Sequence, residues 1–368
     1  MKVMSVFGTR PEGVKMAPII KELEGREGVE QVICITAQHR QMLDQVIDLF
    51  KIKPDYDLNI FKPGQTLTDI TTNALKGLEE VIKKEKPDIL LVQGDTTTVF
   101  AGALAAFYQK VKVGHIEAGL RSGNMYSPYP EEGNRKLTGV LTDFHFAPTQ
   151  KNLDNLIKEG YSENSIFITG NTVIDALKYA IKDDYKFTDD RLNQIDYTKS
   201  KVILVTSHRR ENLGKPMENI FKAIRDAVNN KEDSIVVFPV HLNPKVREIA
   251  NDILGNNSRI LLTEPMDYEP FTNLMSRVYL VVTDSGGLQE EAPALGKPVL
   301  VVREETERPE GIEAGTAKLV GTSYDNVYNN LIALLENEHL YDSMAKAINP
   351  YGDGDASKKI VDIILNYV

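Results

Sequence analysis

Three carboxylates sit where apolar runs give way to turn-forming residues, and side chains so placed can move protons. Asp95 follows the run 89–92 in Gln93-Gly94-Asp95-Thr96-Thr97-Thr98, and Glu117 leaves the run 111–116 in Glu117-Ala118-Gly119-Leu120-Arg121-Ser122. Glu131 lies in Pro128-Tyr129-Pro130-Glu131-Glu132-Gly133-Asn134-Arg135. Each has an ordinary explanation when taken alone. Asp95 suits a helix N-cap, Glu117 has Arg121 as an obvious partner, and Glu131 with Glu132 would complement a helix dipole. Three carboxylates in one crevice do more. Crowding raises one group's proton affinity above another's, so that one serves as acid while another serves as base. That equipment moves protons on a neutral substrate carbon or hydroxyl.

Cationic and glycine-rich loops accompany them. Gly8-Thr9-Arg10-Pro11-Glu12-Gly13-Val14-Lys15 follows the run 3–7; its Arg10 and Lys15 suit a diphosphate, or are solvated surface charges. Thr206-Ser207-His208-Arg209-Arg210-Glu211-Asn212 repeats the pattern and adds a titrating His208. Pro239-Val240-His241-Leu242-Asn243-Pro244 brings His241 to a strand end as well. In Tyr279-Leu280-Val281-Val282-Thr283-Asp284-Ser285-Gly286-Gly287-Leu288-Gln289-Glu290-Glu291-Ala292, a buried strand meets a Ser-Gly-Gly turn and a helix expected over 288–295. Ser285 would stand near the N-cap, where backbone N–H groups and the positive dipole end face an anion. Glu291 is in reach of a ribose. The bland reading is a strand-to-helix turn that needed glycine for steric reasons alone. Glu307-Arg308-Pro309-Glu310-Gly311 offers Arg308 to a substrate or to Glu310.

Other chemistries lack their signatures. No Gly-x-Gly-x-x-Gly follows the first strand of either half, which disfavours a nicotinamide or flavin enzyme. Neither a Gly-x-Ser-x-Gly elbow nor a Gly-Lys-Ser/Thr phosphate loop occurs, and no histidine pair has zinc-site spacing.

The elements that must position these loops alternate. Strand-like runs lie at 3–7, 32–35, 89–92, 111–116, 144–146 and 166–168, then at 202–205, 235–238, 260–262, 280–282 and 299–302, with amphipathic helical patterns between them. The pattern predicts an α/β protein with parallel sheets covered on both faces. Two successive series predict two Rossmann-like doubly wound domains, each with a crevice at its carboxyl strand ends. The boundary is expected after Gly170-Asn171-Thr172, giving domains of 1–171 and 172–354 and a last helical stretch at 355–368. The 368 residues carry a net charge of −10, which argues against nucleic acid or an acidic membrane as partner. Cys34 is the only cysteine and reads as core, so no internal disulfide framework exists. No run approaches a membrane span of about 20 apolar residues. A cytoplasmic protein is expected.

Taken as an ordered set, Gly8-Thr9-Arg10-Pro11-Glu12, Gly94-Asp95-Thr96, His115-Ile116-Glu117-Ala118-Gly119-Leu120-Arg121, Pro130-Glu131-Glu132, Ser207 to Asn212, Thr283 to Glu291 and Thr306 to Glu310 resemble the non-hydrolysing UDP-N-acetylglucosamine 2-epimerases across the whole chain. The resemblance implies a glycosyltransferase-B-like fold with its active site in an interdomain cleft and the last helix packed back on the first domain. It implies interconversion of UDP-GlcNAc and UDP-ManNAc through UDP elimination to 2-acetamidoglucal, without redox cofactor or metal. It makes Asp95, Glu117 and Glu131 the acid/base candidates and puts His208 at the UDP phosphates. It makes Arg10, Lys15, Phe271, Ser285, Gly286, Gly287, Glu291 and Arg308 ligands of UDP or sugar. Gln38, Gln41, Glu131, Arg210 and His241 match the positions where bacterial relatives bind a second, activating UDP-GlcNAc, and a homodimer is implied. Met266 and Gly64 depart from the glutamine and arginine of some relatives. A hydrolysing relative, a UDP-sugar glycosyltransferase of the same fold and a nucleotide-sugar-binding regulator are the alternatives.

Overall fold

A computed structural model describes residues 1–38 and 40–367, with the Gln41 side chain also outside the description. Among the described residues, thirteen strands form two sheets. The first contains β1 (Lys2–Phe7), β2 (Glu30–Ile35), β3 (Tyr56–Asp57), β4 (Ile89–Gln93), β5 (Lys112–Ile116), β6 (Phe144–Ala147) and β7 (Ile166–Ile168). The second contains β8 (Lys201–Thr206), β9 (Ser234–Pro239), β10 (Ile260–Thr263), β11 (Leu280–Thr283), β12 (Val299–Val301) and β13 (Ala317–Leu319). The orders are β3-β2-β1-β4-β5-β6-β7 and β10-β9-β8-β11-β12-β13. Every strand pair is parallel. These are the doubly wound, Rossmann-like orders that the alternation predicts.

Burial explains why the inner strands read as unbroken apolar runs. Ile89, Leu90, Leu91 and Val92 of β4, and Val202, Ile203 and Leu204 of β8, are fully buried because helices cover both sheet faces. β3 and β13, which no run predicted, are two- and three-residue edge strands.

The chain forms two compact units, 1–179 with 351–368 and 180–350. The first unit therefore runs past residue 171 and resumes before 355. Side-chain and backbone bonds account for both shifts. The Asn171 amide donates to the Tyr351 carbonyl at 2.7 Å. Buried Asp175, in the helix Thr172–Ala180, accepts from the Ser357 amide at 2.8 Å and the Ala356 amide at 3.3 Å. It thereby caps the last helix, Ala356–Tyr367. Arg26 of the first helix reaches Asp362 at 2.6 Å and seats that helix in the first unit. Among the described residues no helix is long and apolar enough to cross a membrane.

In each sheet the strand order reverses between two neighbours, β1 and β4 in the first and β8 and β11 in the second. Diverging connections leave a crevice at such a point, beyond the carboxyl ends. The loops after β1 and β4 carry Arg10 and Asp95; those after β8 and β11 carry His208 and Ser285.

Candidate active site

A cavity of about 450 Å³ opens at the β1–β4 reversal. Arg10, Lys15, Gln38, Asp95, Glu117 and Glu131 all line it, so the first unit brings together all three carboxylates and both cations of the first loop. Gln41, nominated with Gln38, has its side chain outside the described residues.

Glu117 is the most constrained of the three. Its φ of +64° is a conformation that residues other than glycine rarely adopt, and such strain persists only where surrounding contacts hold it. Lys15 Nζ lies 2.6 and 2.7 Å from its two oxygens, Asn171 Nδ2 donates to Oε1 at 3.1 Å, and Gln93 Nε2 donates to Oε2. Arg121, the partner that proximity in sequence suggested, instead bonds Glu159 at 2.9 and 2.8 Å. Positive φ at Glu117 and at Gly119 (+88°) turns the chain between them. A β-carbon at Gly119 would stand 2.2 Å from the Asn152 carbonyl oxygen, so the turn has room only for glycine.

Asp95 is not the N-cap of the helix Thr97–Tyr108; Thr96 is, accepting from the Val99 amide. Asp95 Oδ2 instead accepts from Arg135, at 2.9 Å from Nε and 2.6 Å from Nη2. Glu131 is the first residue of the helix Glu131–Val140, and its Oε2 is buried with no hydrogen-bond partner among the described residues. Glu132 beside it is fully buried and accepts from the Ser122 amide, the Gly123 amide and Arg135. Burial acts to raise its pKa, but those donors outweigh it and hold the carboxyl below its usual range.

Two further titratable groups frame the cavity. Glu12, overlooked among the charges of its loop, lines it while fully buried, accepting from the Gly8 amide at 2.9 Å, the Thr9 amide at 2.6 Å and the Thr96 hydroxyl. Burial pushes its carboxyl above the usual range, against the pull of those donors. The spacing Thr9-x-x-Glu12 is a capping-box pattern and was the available signal. His115 Nε2 lies 2.7 Å from the Gly94 carbonyl, which only accepts, so that nitrogen carries the proton. Burial depresses its pKa to about 4. It is a neutral structural group that fixes the turn preceding Asp95.

In the second unit, fully buried Asp284 organises the loop after β8. Its Oδ2 accepts from Ser207 Oγ (3.0 Å), the His208 and Arg209 amides (both 2.9 Å) and Asn212 Nδ2 (3.1 Å). Its Oδ1 lies 3.3 Å from His208 Nδ1. The His208 ring stacks on His241 with centroids 5.6 Å apart. Partial burial lowers the His208 pKa; the Asp284 charge opposes that, and His241 and Arg209 add to it. Arg210 begins the short helical turn Arg210–Asn212.

Gly287, not Ser285, caps the helix Leu288–Ala294, and neither Gly286 nor Gly287 has a positive φ. The glycines are therefore not demanded by backbone conformation. A β-carbon at Gly286 would meet nothing within 4 Å, so the backbone there is open to approach. Thr306 Oγ1 donates to Gln289 Oε1 at 2.7 Å, and Arg308 pairs with Glu290. These contacts tie the loop after β12 to the Ser285–Gly287 turn. Phe271 lies partly buried in the helix Tyr268–Arg277. Burial, then the charge of Glu291, drives the Tyr268 phenol of that helix well above its usual range. The unit's 570 Å³ cavity lies elsewhere, along Arg191, Arg247, Pro265, Met266 and Pro270, and includes none of the nominated UDP ligands.

Residues 21–365 match the family model described as UDP-N-acetylglucosamine 2-epimerase. The chain belongs to the UDP-N-acetylglucosamine 2-epimerase family. The Bacillus subtilis UDP-N-acetylglucosamine 2-epimerase is 56% identical over 365 residues, spanning 99% of this chain and 95% of its own. The Neisseria meningitidis UDP-GlcNAc 2-epimerase, solved bound to UDP-GlcNAc, superposes with a TM-score of 0.87 at 51% identity and full coverage of both chains. S. aureus MnaA, solved with UDP, gives a TM-score of 0.85 at 54% identity, covering 100% of this chain and 96% of its own. In this family member the carboxylates gather in the first unit, and the histidine, glycine turn and Arg308 gather at the strand ends of the second.

Proposed function

We propose that the protein interconverts UDP-GlcNAc and UDP-ManNAc reversibly and without net hydrolysis. The observation that supports this best is the meeting of Asp95, from the loop after β4, with Glu117 and Glu131, from the two ends of the connection after β5, in one cavity beside Arg10 and Lys15. A carboxylate removes the C2 proton while the C1–O bond to UDP breaks, and UDP departs with the bonding electrons. The resulting 2-acetamidoglucal holds a C1=C2 double bond. Re-addition of UDP oxygen to C1 and proton delivery to the other face of C2 by a second acid complete the exchange. Asp95, Glu117 and Glu131 share these proton transfers. His208 stands at the departing diphosphate, with Arg10, Lys15, Ser285, Gly286, Gly287 and Arg308 stabilising its charge. Glu291 takes the ribose and Phe271 the uracil. Gln38, Gln41, Arg210 and His241 belong to a second, activating UDP-GlcNAc. The working form is a cytoplasmic homodimer that supplies ManNAc units for surface polysaccharide. Family membership, the Neisseria relative bound to UDP-GlcNAc and the S. aureus relative with UDP support the substrate assignment.

Incubation with UDP-GlcNAc in D₂O, followed by NMR, tests the reaction. The expected product is UDP-ManNAc deuterated at C2. Free ManNAc with UDP would replace this reading with the hydrolysing one, and an unchanged C2 would remove both.

A further inference from the structure

We propose that Arg135 is a positioning residue for Asp95, anchored in turn by Glu132; the inference rests on the epimerase reading above. The guanidinium places Nε and Nη2 on the same oxygen, Asp95 Oδ2, at 2.9 and 2.6 Å. Its third nitrogen, Nη1, donates to Glu132 Oε2 at 3.0 Å. Glu132 is itself fastened to backbone, since its two oxygens accept from the Ser122 and Gly123 amides at 3.0 and 3.2 Å. A second tie from the same helix, Asn134 Nδ2 to the Asp95 carbonyl at 2.9 Å, fixes the main chain on which the carboxylate rides. One helical turn thus holds Asp95 at its backbone and at one carboxylate oxygen.

The other oxygen is what the arrangement leaves over. Asp95 Oδ1 has no hydrogen-bond partner among the described residues, and Asp95 lines the 450 Å³ cavity. An ion pair serving only stability would gain most by engaging both oxygens, the usual fork-to-fork geometry of arginine and carboxylate. Here the fork closes on one oxygen and spends its remaining donor on a buried anchor. The result is a carboxylate whose plane is set and whose unused oxygen is available to a substrate proton. Lysine has a single ammonium and cannot reproduce the two-sided bridge.

The test uses the full-length protein and the variants Arg135→Gln and Arg135→Lys, with circular dichroism to establish that each folds. Steady-state kcat and KM, solvent deuterium uptake at C2 and UDP binding by calorimetry are then measured. Misplacement of a reacting group by about 1 Å costs up to about 100-fold in rate, so kcat and C2 exchange should fall about 10- to 100-fold in Arg135→Gln. Arg135→Lys should lose at least about fivefold, because the charge survives without the bridge. KM and the UDP dissociation constant should stay within about threefold in both, since Arg135 touches no substrate in this scheme. A folded Arg135→Gln with kcat within twofold of the parent overturns the proposal, as does a loss confined to KM or UDP affinity. Should Arg135→Gln not fold, Arg135→Lys decides by the same criterion. A parent enzyme that never deuterates C2 overturns the underlying reading instead, so the two failures are told apart.

Discussion

Asp284 offers the sharpest test of how the second unit is built. It is fully buried, and one of its oxygens gathers four donors from the loop that carries His208. Hydrogen bonds to an ionised acceptor contribute about 1.5–3 kcal/mol each against about 0.5–1.5 for neutral ones. Asp284→Asn can keep its carbonyl oxygen toward the four donors, losing the charge from each bond but also the cost of burying that charge. The two effects oppose, leaving a net destabilisation of about 1–3 kcal/mol. Asp284→Ala removes the acceptor and strands buried donors, which should cost about 3–5 kcal/mol. Urea denaturation followed by circular dichroism measures both, and the order Ala below Asn below parent is the prediction. Imidazole NMR supplies a second readout. The Asp284 charge raises the His208 pKa against burial, His241 and Arg209, so the His208 midpoint should move lower still in Asp284→Asn. An alanine variant within about 1 kcal/mol of the parent, or a His208 midpoint that rises, would refute the assignment of Asp284 as the organiser of this loop.

Four other perturbations have definite expected outcomes. Gly286→Ala should leave the melting temperature nearly unchanged, because its β-carbon meets nothing, yet weaken UDP binding at least tenfold by calorimetry. Gly119→Ala should destabilise the first unit by about 2–5 kcal/mol, since the new carbon adds a backbone clash to a positive φ; a melt matching the parent would contradict this. Asp95→Asn should suppress deuterium uptake at C2 while UDP binding persists, and unaltered turnover would remove Asp95 from the chemistry. Burial depresses His115 to about 4 and His145 to about 3, so the unfolded chain binds more protons than the folded one below about pH 6.5. Stability contributed by these neutral rings is therefore present above that pH and lost as pH falls toward 3. Urea midpoints should drop between pH 6.5 and 4, and His145→Phe should flatten the drop.

Much of this architecture was legible because its signals are local. Runs such as 89–92 and 202–205 are apolar throughout since helices bury both faces, and loops between runs had to carry whatever chemistry exists. The edge strands β3 and β13 are too short to show any periodicity, and they pair with only one neighbour each. The boundary shifted for a different reason. Asp175 and Asn171 bond residues near 351–357, a tie between distant segments that no composition change announces.

The site divides along the same line. That Asp95, Glu117 and Glu131 would share one crevice could be read from their loops, but which group each one faces could not. Arg121 stands four residues from Glu117, yet the left-handed residues between them swing it to Glu159, while Lys15, about a hundred residues earlier, reaches both Glu117 oxygens. Position in a doubly wound sheet explains this outcome: β1 and β5 are each neighbours of β4, so the loops after β1 and β5 converge over its end although the sequence separates them. The same convergence places Glu12 against Thr96 and Arg135 against Asp95. Candidate residues are thus a property of single loops, whereas their pairing is a property of strand order. A reading that predicts the order β1-β4-β5 before assigning partners would set Lys15 ahead of Arg121 for Glu117 on topology alone.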